Sequence, residues 1–180
     1  MATAPPLPVV PVEEYLNSGY HPEMEYVDGV LVERDVPTIP HALLQRLLIV
    51  YFAQFEKSFN FLALPEVRTQ IIERARYRVP DILLCGKPVP RGKVVNTIPL
   101  AVIEILSPED RISVMLERFH DYASIGVPQI VMMDPERFIA HRYEDGSLIR
   151  TEFDSLSLPA GTTVPFSSQA LFERLREDLA

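Results

Sequence analysis

The sequence predicts an α/β (α+β) domain in which helices flank a mixed central sheet and a β-hairpin stands near the N-terminus. Two apolar runs, residues 78–85 and 99–106, have no polar face, which is typical of strands buried on both sides. Two segments with apolar residues at helical spacing, 41–57 and 109–125, predict the main helices. An Asp-Gly pair between alternating segments at 25–32 predicts the hairpin.

Shorter signals predict the remaining elements in chain order. These are a short helix at 13–18, an extended segment at 61–73, a turn around Arg74–Arg78, a Pro/Gly/Lys loop at 86–93, a strand at Gln129–Met133, a second Asp-Gly hairpin at Tyr143–Ser147 and a closing helix at 169–178. The apolar stripe of the second main helix is Ile112, Met115, Leu116, Phe119 and Ala123. Gly126 fits the end of that helix.

Composition indicates one domain at 12–180, preceded by a flexible Pro-rich arm at 1–11. A length of 180 residues with 47% hydrophobic content is enough for a core. The net charge of −8 argues against a general nucleic-acid coat protein, because phosphate binding usually needs a basic excess. A lone cysteine, Cys85, excludes an internal disulfide framework and suits a reducing compartment. Neither a membrane span nor a signal peptide is predicted, so we expect a cytoplasmic protein.

Asp81 and Glu104 are acids set within the two apolar runs. A carboxylate in such a place is costly unless it is paired, hydrogen-bonded or bound to a metal. If the strands are neighbours, the two carboxylates can converge, and oxygen ligands of this kind suit Mg²⁺ or Mn²⁺. The alternatives are that Asp81 caps a turn at the start of its strand and that Glu104 forms a buried ion pair with an arginine.

The second main helix adds positive charge beside these acids. At about 100° per residue, Arg111, Arg118 and Tyr122 fall along one flank of its apolar stripe. If that flank faces the acids, its residues can contact a phosphate, and Arg118 can hold it bidentately. The alternative is a solvated flank. Glu25 is either a third acid or an exposed strand charge, and His41 is either a polar helix cap or an accessory site residue.

Several short segments follow one another along the chain, and their order and spacing together are specific for one protein family. They are Met24-Glu25-Tyr26-Val27-Asp28-Gly29, His41 opening a helix, Arg78-Val79-Pro80-Asp81, Ile103-Glu104-Ile105-Leu106-Ser107-Pro108, Tyr122-Ala123-Ser124-Ile125-Gly126-Val127-Pro128 and the apolar strand ending in Asp134-Pro135. In this order they resemble the PD-(D/E)XK nuclease superfamily, and more closely a bacterial family described as putative restriction endonucleases. The resemblance covers about residues 12–165.

The resemblance implies a restriction-endonuclease-like fold and a metal-dependent endonuclease that hydrolyses phosphodiester bonds in DNA. In that superfamily an aspartate and a glutamate bind the divalent metal, often helped by the peptide carbonyl of the residue after the glutamate, which here implies Asp81, Glu104 and Ile105. The lysine that normally stands two residues after the glutamate is Leu106 in this chain. The resembling family moves that lysine to the next helix, where this chain has Arg118. Arginine can bind phosphate but is a poor proton acceptor.

We therefore expect Glu25, Asp81, Glu104 and Arg118 to be the catalytic residues, with Mg²⁺ or Mn²⁺ as cofactor and DNA as partner. The alternative is a catalytically silent nuclease-fold domain that binds nucleic acid or a protein partner. Arg118 and the acidic surface favour that alternative, whereas the retained acids oppose it. The resemblance and the prevalence of two-fold oligomers also lead us to expect a homodimer.

Overall fold

A computed structural model describes residues 9–71 and 75–180 of the chain. The four helices described are α1 (Val12–Asn17), α2 (Ile39–Ala53), α3 (Ile112–Ser124) and α4 (Ser168–Leu179), with a 3₁₀ turn at Pro159–Gly161. The strands are β1 (Met24–Val27), β2 (Val30–Glu33), β3 (Phe61–Pro65), β4 (Thr69–Ile71), β5 (Arg76–Arg78), β6 (Ile82–Gly86), β7 (Ala101–Ile105), β8 (Ile130–Asp134), β9 (Ile139–Glu144), β10 (Ser147–Arg150), β11 (Ser155–Ser157) and β12 (Thr163–Pro165). None of the helices described is both long and apolar enough to cross a membrane.

A mixed six-stranded sheet forms the centre of the molecule. Its strand order is β10-β9-β8-β7-β6-β3, and among the described strands only β7 and β8 pair in parallel. Helix α3 connects those two strands, as a parallel pair requires. A second sheet of four strands, β2-β1-β5-β4, carries the N-terminal hairpin, and β11 pairs with β12. The predicted mixed sheet with flanking helices and an N-terminal hairpin is confirmed.

The two faces of the central sheet pack against different helices. One face packs with α2 and α4 around residues such as Phe52 and Ile103. The other face packs with α3 around residues such as Val102 and Phe119. Successive strand residues point to opposite faces, and both faces are covered by helices, so every residue of β7 and β8 is buried. Glu104 therefore projects toward α3, on the same face as Val102.

Both Asp-Gly turns have the backbone geometry of tight hairpins. Asp28 and Gly29 have φ values of 50° and 94°, and Asp145 and Gly146 have values of 48° and 79°. Two successive positive φ angles are required by the two-residue turn whose twist matches its strands. Helix α3 ends as predicted, because Gly126 has φ 84° while its N–H donates to Ala123 and that of Val127 donates to Tyr122.

Three local predictions need correction. The segment expected to be a turn near Arg78 contains strand β5, because it pairs with β1 and β4; residue 74 lies outside the described residues. Helix α3 begins at Ile112, not at 109. Its buried face is rotated from the predicted stripe, because Ile112 and Ala123 are exposed. Asp121 and Tyr122 are fully buried instead, and both are hydrogen-bonded to polar side chains of neighbouring strands.

The predicted arm at 1–11 is partly fixed to the hairpin. The N–H of Val10 donates to the carbonyl of Gly29 at 2.8 Å, and the hydroxyl of Tyr26 donates to the carbonyl of Val10 at 2.9 Å. Residues 1–8 of the arm lie outside the described residues. Val10 therefore contacts the hairpin, and the flexibility of the arm stays a prediction.

Candidate active site

Asp81 and Glu104 face each other on neighbouring strands. β6 and β7 are antiparallel with Ile82 opposite Ile103, so Asp81, which directly precedes β6, stands opposite Glu104. The N–H of Asp81 lies 3.4 Å from Oε2 of Glu104. The two acids therefore stand opposite each other at neighbouring strands, as the predicted site requires, and both side chains are buried; an ion shared between them stays a prediction.

Both carboxylate oxygens of Asp81 already have partners. The Ile105 N–H donates to Oδ2 at 2.7 Å, and Arg34 Nη2 lies 2.5 Å from Oδ1. His41 Nε2 is 3.4 Å from the same Oδ1. Burial alone would raise the pKa of Asp81, but His41, Arg34 and the Ile105 N–H together hold it below its usual value. Asp81 is therefore an ionised carboxylate at neutral pH.

Glu104 has a different environment. Its Oε1 accepts a hydrogen bond from the hydroxyl of Tyr122 at 2.6 Å. Within the described residues it forms no ion pair, so the alternative of a buried pair with an arginine is not observed there. Burial, followed by the nearby charge of Asp81, raises the pKa of Glu104 to about 8. A cation bound between the two acids would offset the repulsion between their negative charges.

Glu25 stands behind Arg118 and orients it. It is fully buried, with Arg78 Nη1 at 2.8 Å and Arg118 Nε at 3.3 Å from Oε2. Its Oε1 accepts the N–H of Val79 at 3.1 Å. Burial would raise the pKa of Glu25, but Arg118 and Arg78 lower it below its usual value. The alternative of an exposed strand charge is wrong, and the contacts give Glu25 a positioning role.

A buried ion-pair cluster extends from Glu25 along helix α3. Arg78 Nη2 is 2.7 Å from Oδ2 of Asp121, and Arg76 Nη1 is 3.0 Å from Oδ1 of the same carboxylate. Arg76 also pairs with Asp28 in the hairpin turn. The sequence analysis missed this cluster, although two arginines at alternate strand positions point to one face. The cluster fixes the face of α3 that carries Arg118.

His41 reaches the acidic site from the start of α2. The N-cap of the helix is Thr38, whose Oγ1 accepts the backbone N–H of His41 at 3.4 Å, so the alternative that His41 itself is the cap is wrong. The His41 side chain goes further: Nδ1 lies 3.1 Å from Oγ of Ser107, and Nε2 faces Asp81. Ser107 and Arg34 are site residues that the sequence analysis did not single out.

Of the three expected phosphate contacts, Arg118 alone is among the described residues that line the cleft. Arg111 is exposed and precedes α3, with extended backbone angles. Tyr122 is fully buried against Glu104, so the expectation that it contacts phosphate is wrong for this structure. Arg118 lines the cleft with its side chain 11% exposed, and Glu25, then Glu104, raise its pKa against the opposing effect of burial. Arg118 remains the predicted phosphate contact.

A narrow cleft gives access to Asp81, and the described residues that line it do not include Glu104. It has a volume of about 20 Å³, enough for a water molecule or an ion but too small for a phosphate group. It is lined by Arg34, Asp35, His41, Asp81, Ile105, Ser107, Asp110 and Arg118. Any phosphate must therefore meet the cleft at its rim, or the lining side chains must move.

The donor atoms fit a small hard cation that keeps part of its water shell. Asp81 and Glu104 supply carboxylates, and the Ile105 carbonyl points to the same side of β7 as its N–H, toward Asp81. Mg²⁺ typically needs only one or two carboxylates, because it retains several waters. Across residues 9–71 and 75–180, no group of three or more His, Cys, Asp or Glu could enclose an ion. The site fits Mg²⁺ or Mn²⁺ better than a metal that requires a full protein cage.

Comparison with known proteins agrees with the fold. The crystal structure of a protein described as a putative nuclease belonging to DUF820, from Anabaena variabilis ATCC 29413, superimposes with a TM-score of 0.74 at 20% sequence identity. The match covers 91% of this chain and 98% of that one, and it shows a shared restriction-endonuclease-like fold. No curated protein matches the sequence. The sequence model of the Uma2 family, described as "Putative restriction endonuclease", matches residues 12–169, and the chain therefore belongs to that family.

Proposed function

We propose that this protein is a metal-dependent endonuclease that hydrolyses phosphodiester bonds in DNA. The observation that carries the proposal is that Asp81 stands opposite Glu104 across β6 and β7, with Asp81 and Arg118 lining the same cleft. Family membership supports a nuclease. Two acids beside an arginine are suited to hold a divalent cation and a phosphate side by side.

Each residue has a distinct task in this proposal. Asp81, Glu104 and the Ile105 carbonyl would hold Mg²⁺ or Mn²⁺, which when bound lowers the pKa of a coordinated water and stabilises charge on the phosphate. Arg118 would hold the non-bridging oxygens of the scissile phosphate, and Glu25 fixes its orientation through Nε. Because Arg118 keeps its proton, it cannot accept one from the attacking water. His41 keeps Asp81 oriented, and Ser107 keeps His41 oriented.

A second candidate is a catalytically silent nuclease-fold domain that binds nucleic acid or a protein. The guanidinium of Arg34 on Asp81 favours it, because a positive charge already neutralises the first acid. Arg118 also favours it, because this position holds a lysine in the resembling family. In this case DNA would be retained in a salt-dependent manner without being cut.

Cleavage of supercoiled and single-stranded DNA with Mg²⁺ and with Mn²⁺ distinguishes the two functions. We expect wild-type cleavage that requires the metal and is absent in Asp81→Asn, which keeps the shape of the side chain. Arg118→Lys should retain or raise the activity, since it keeps the charge and restores an amine, while Arg118→Ala should lower it. Equal cleavage by wild type and Asp81→Asn would indicate contamination and reject the enzyme. Salt-dependent retention without cleavage, in wild type and Arg118→Lys alike, would favour the silent domain.

A further inference from the structure

Arg34 is paired with Asp81 in the acidic site. We propose that Arg34 is an intramolecular counter-ion of Asp81 that is displaced when a divalent cation binds, and that Glu66 receives it. This inference rests on the proposed function, because it concerns the regulation of metal binding at the same acids. It adds a metal-gating residue to the site.

Both carboxylate oxygens of Asp81 have partners. Oδ2 accepts the Ile105 N–H at 2.7 Å, and Oδ1 is contacted by Arg34 at 2.5 Å and by His41 at 3.4 Å. The backbone N–H and the histidine are held by β7 and α2, so they cannot withdraw without disturbing those elements. Arg34 is the first residue after β2 and lies outside its ladder, so it is the partner that can move.

A divalent ion at Asp81 conflicts with the Arg34 guanidinium in both charge and space. An arginine stays protonated in proteins, so Arg34 cannot escape repulsion by losing its proton. A divalent ion at Asp81 would lie within a few ångströms of the guanidinium, where like charges repel strongly in a poorly solvated site. The Arg34 side chain is only 13% exposed, and the cleft of about 20 Å³ does not hold both the guanidinium and a hydrated ion. Metal binding therefore requires Arg34 to leave Asp81.

Glu66 provides a carboxylate that can receive the Arg34 guanidinium when it leaves Asp81. Arg34 Nη1 already lies 3.5 Å from Oε1 of Glu66, whose side chain is 45% exposed. Gln45 bridges the two acids, with Nε2 3.4 Å from Oε1 of Glu66 and 3.1 Å from the Asp81 carbonyl. A small displacement would exchange the buried partner of Arg34 for the exposed one. The arginine would then stand at the rim of the cleft, where a phosphate of the substrate has to approach.

Calorimetric titration of the folded full-length protein with Mn²⁺ tests the inference without using activity. In Arg34→Gln the dissociation constant for Mn²⁺ should fall at least about tenfold, because the ion no longer displaces a cation. In Glu66→Gln it should rise, because Arg34 loses the carboxylate that receives it. Arg34→Lys, which keeps the charge but not the fork geometry, should fall between wild type and Arg34→Gln. The control is Arg46→Gln, which removes an exposed arginine paired with Asp178 and should change nothing.

The outcomes separate this inference from the proposed function. If Asp81→Asn abolishes Mn²⁺ binding but Arg34→Gln binds no tighter than wild type, the counter-ion role is rejected and the metal site stands. If Asp81→Asn binds like wild type, the ion does not use Asp81 and both proposals fail. The absence of binding in wild type together with tight binding in Arg34→Gln would support the inference strongly, whereas no binding in either would reject it. Should Arg34→Gln not fold by circular dichroism, the Arg34→Lys and Glu66→Gln titrations decide.

Discussion

Replacing Glu104 with glutamine should stabilise the metal-free protein at alkaline pH. Burial and the charge of Asp81 raise the pKa of Glu104 to about 8, whereas the usual value for a glutamate is 4.5. The folded protein therefore binds a proton that the unfolded chain has lost, and its stability falls as the pH rises from about 4.5 to about 8. Glu104→Gln removes this ionisation and keeps the shape of the side chain.

The size of the effect follows from the difference between the two pKa values. The two pKa values differ by about 3.5, and a pKa difference of one corresponds to about 1.36 kcal/mol. Ionisation of Glu104 therefore destabilises the folded protein by about 5 kcal/mol above pH 8 and by less than about 1 kcal/mol at pH 5. The amide of glutamine can still accept the Tyr122 hydroxyl, but one of its ends then faces the Asp81 N–H as a donor, at a cost of about 1 kcal/mol. We expect Glu104→Gln to be more stable than wild type by about 4 kcal/mol at pH 9 and about equal at pH 5.

Urea unfolding at pH 5, 7 and 9 in the presence of a chelator measures this difference. The matched control is Glu109→Gln, the same exchange at an exposed position, which should follow wild type at every pH. Repeating the pH 9 measurement with Mg²⁺ should reduce the advantage of Glu104→Gln, because an ion bound only to the native state stabilises wild type by mass action. A difference between wild type and Glu104→Gln that does not change with pH would refute the reasoning, as would a variant less stable at pH 9.

Three further results are expected. Mn²⁺ should raise the melting temperature of wild type, and Asp81→Asn should lose most of this increase; an equal increase in both would remove Asp81 from the metal site. Arg78→Ala should destabilise the fold by about 2 to 3 kcal/mol in urea unfolding, since it removes the cation that Glu25 and Asp121 share and leaves them paired with Arg118 and Arg76; a loss below about 1 kcal/mol would show that the shared cation is unimportant. Light scattering at high protein concentration should give the mass of a homodimer, and a monomer mass would reject that expectation.

The buried cluster also explains why α3 presents the face it does. Helical spacing alone predicts that Ile112 and Ala123 pack inward, yet both are exposed. Asp121 pairs with strand arginines, and Tyr122 bonds to Glu104, so these polar contacts rotate the helix away from its most apolar orientation. Paired and hydrogen-bonded polar groups can be buried at little net cost, which a count of apolar residues does not register.

The sequence by itself determined the features that depend on neighbouring residues. Asp28-Gly29 predicted the hairpin because its turn needs two positive φ angles, and the apolar runs around Asp81 and Glu104 predicted two buried strands, which are β6 and β7. The pairing of these two strands came from the tertiary structure. The tertiary structure alone decided which partners those acids have. Arg34 is 47 residues from Asp81, and Ser107 is 66 residues from His41. Such pairs depend on how sheets and helices are oriented when they pack, and no local pattern in the chain encodes that orientation.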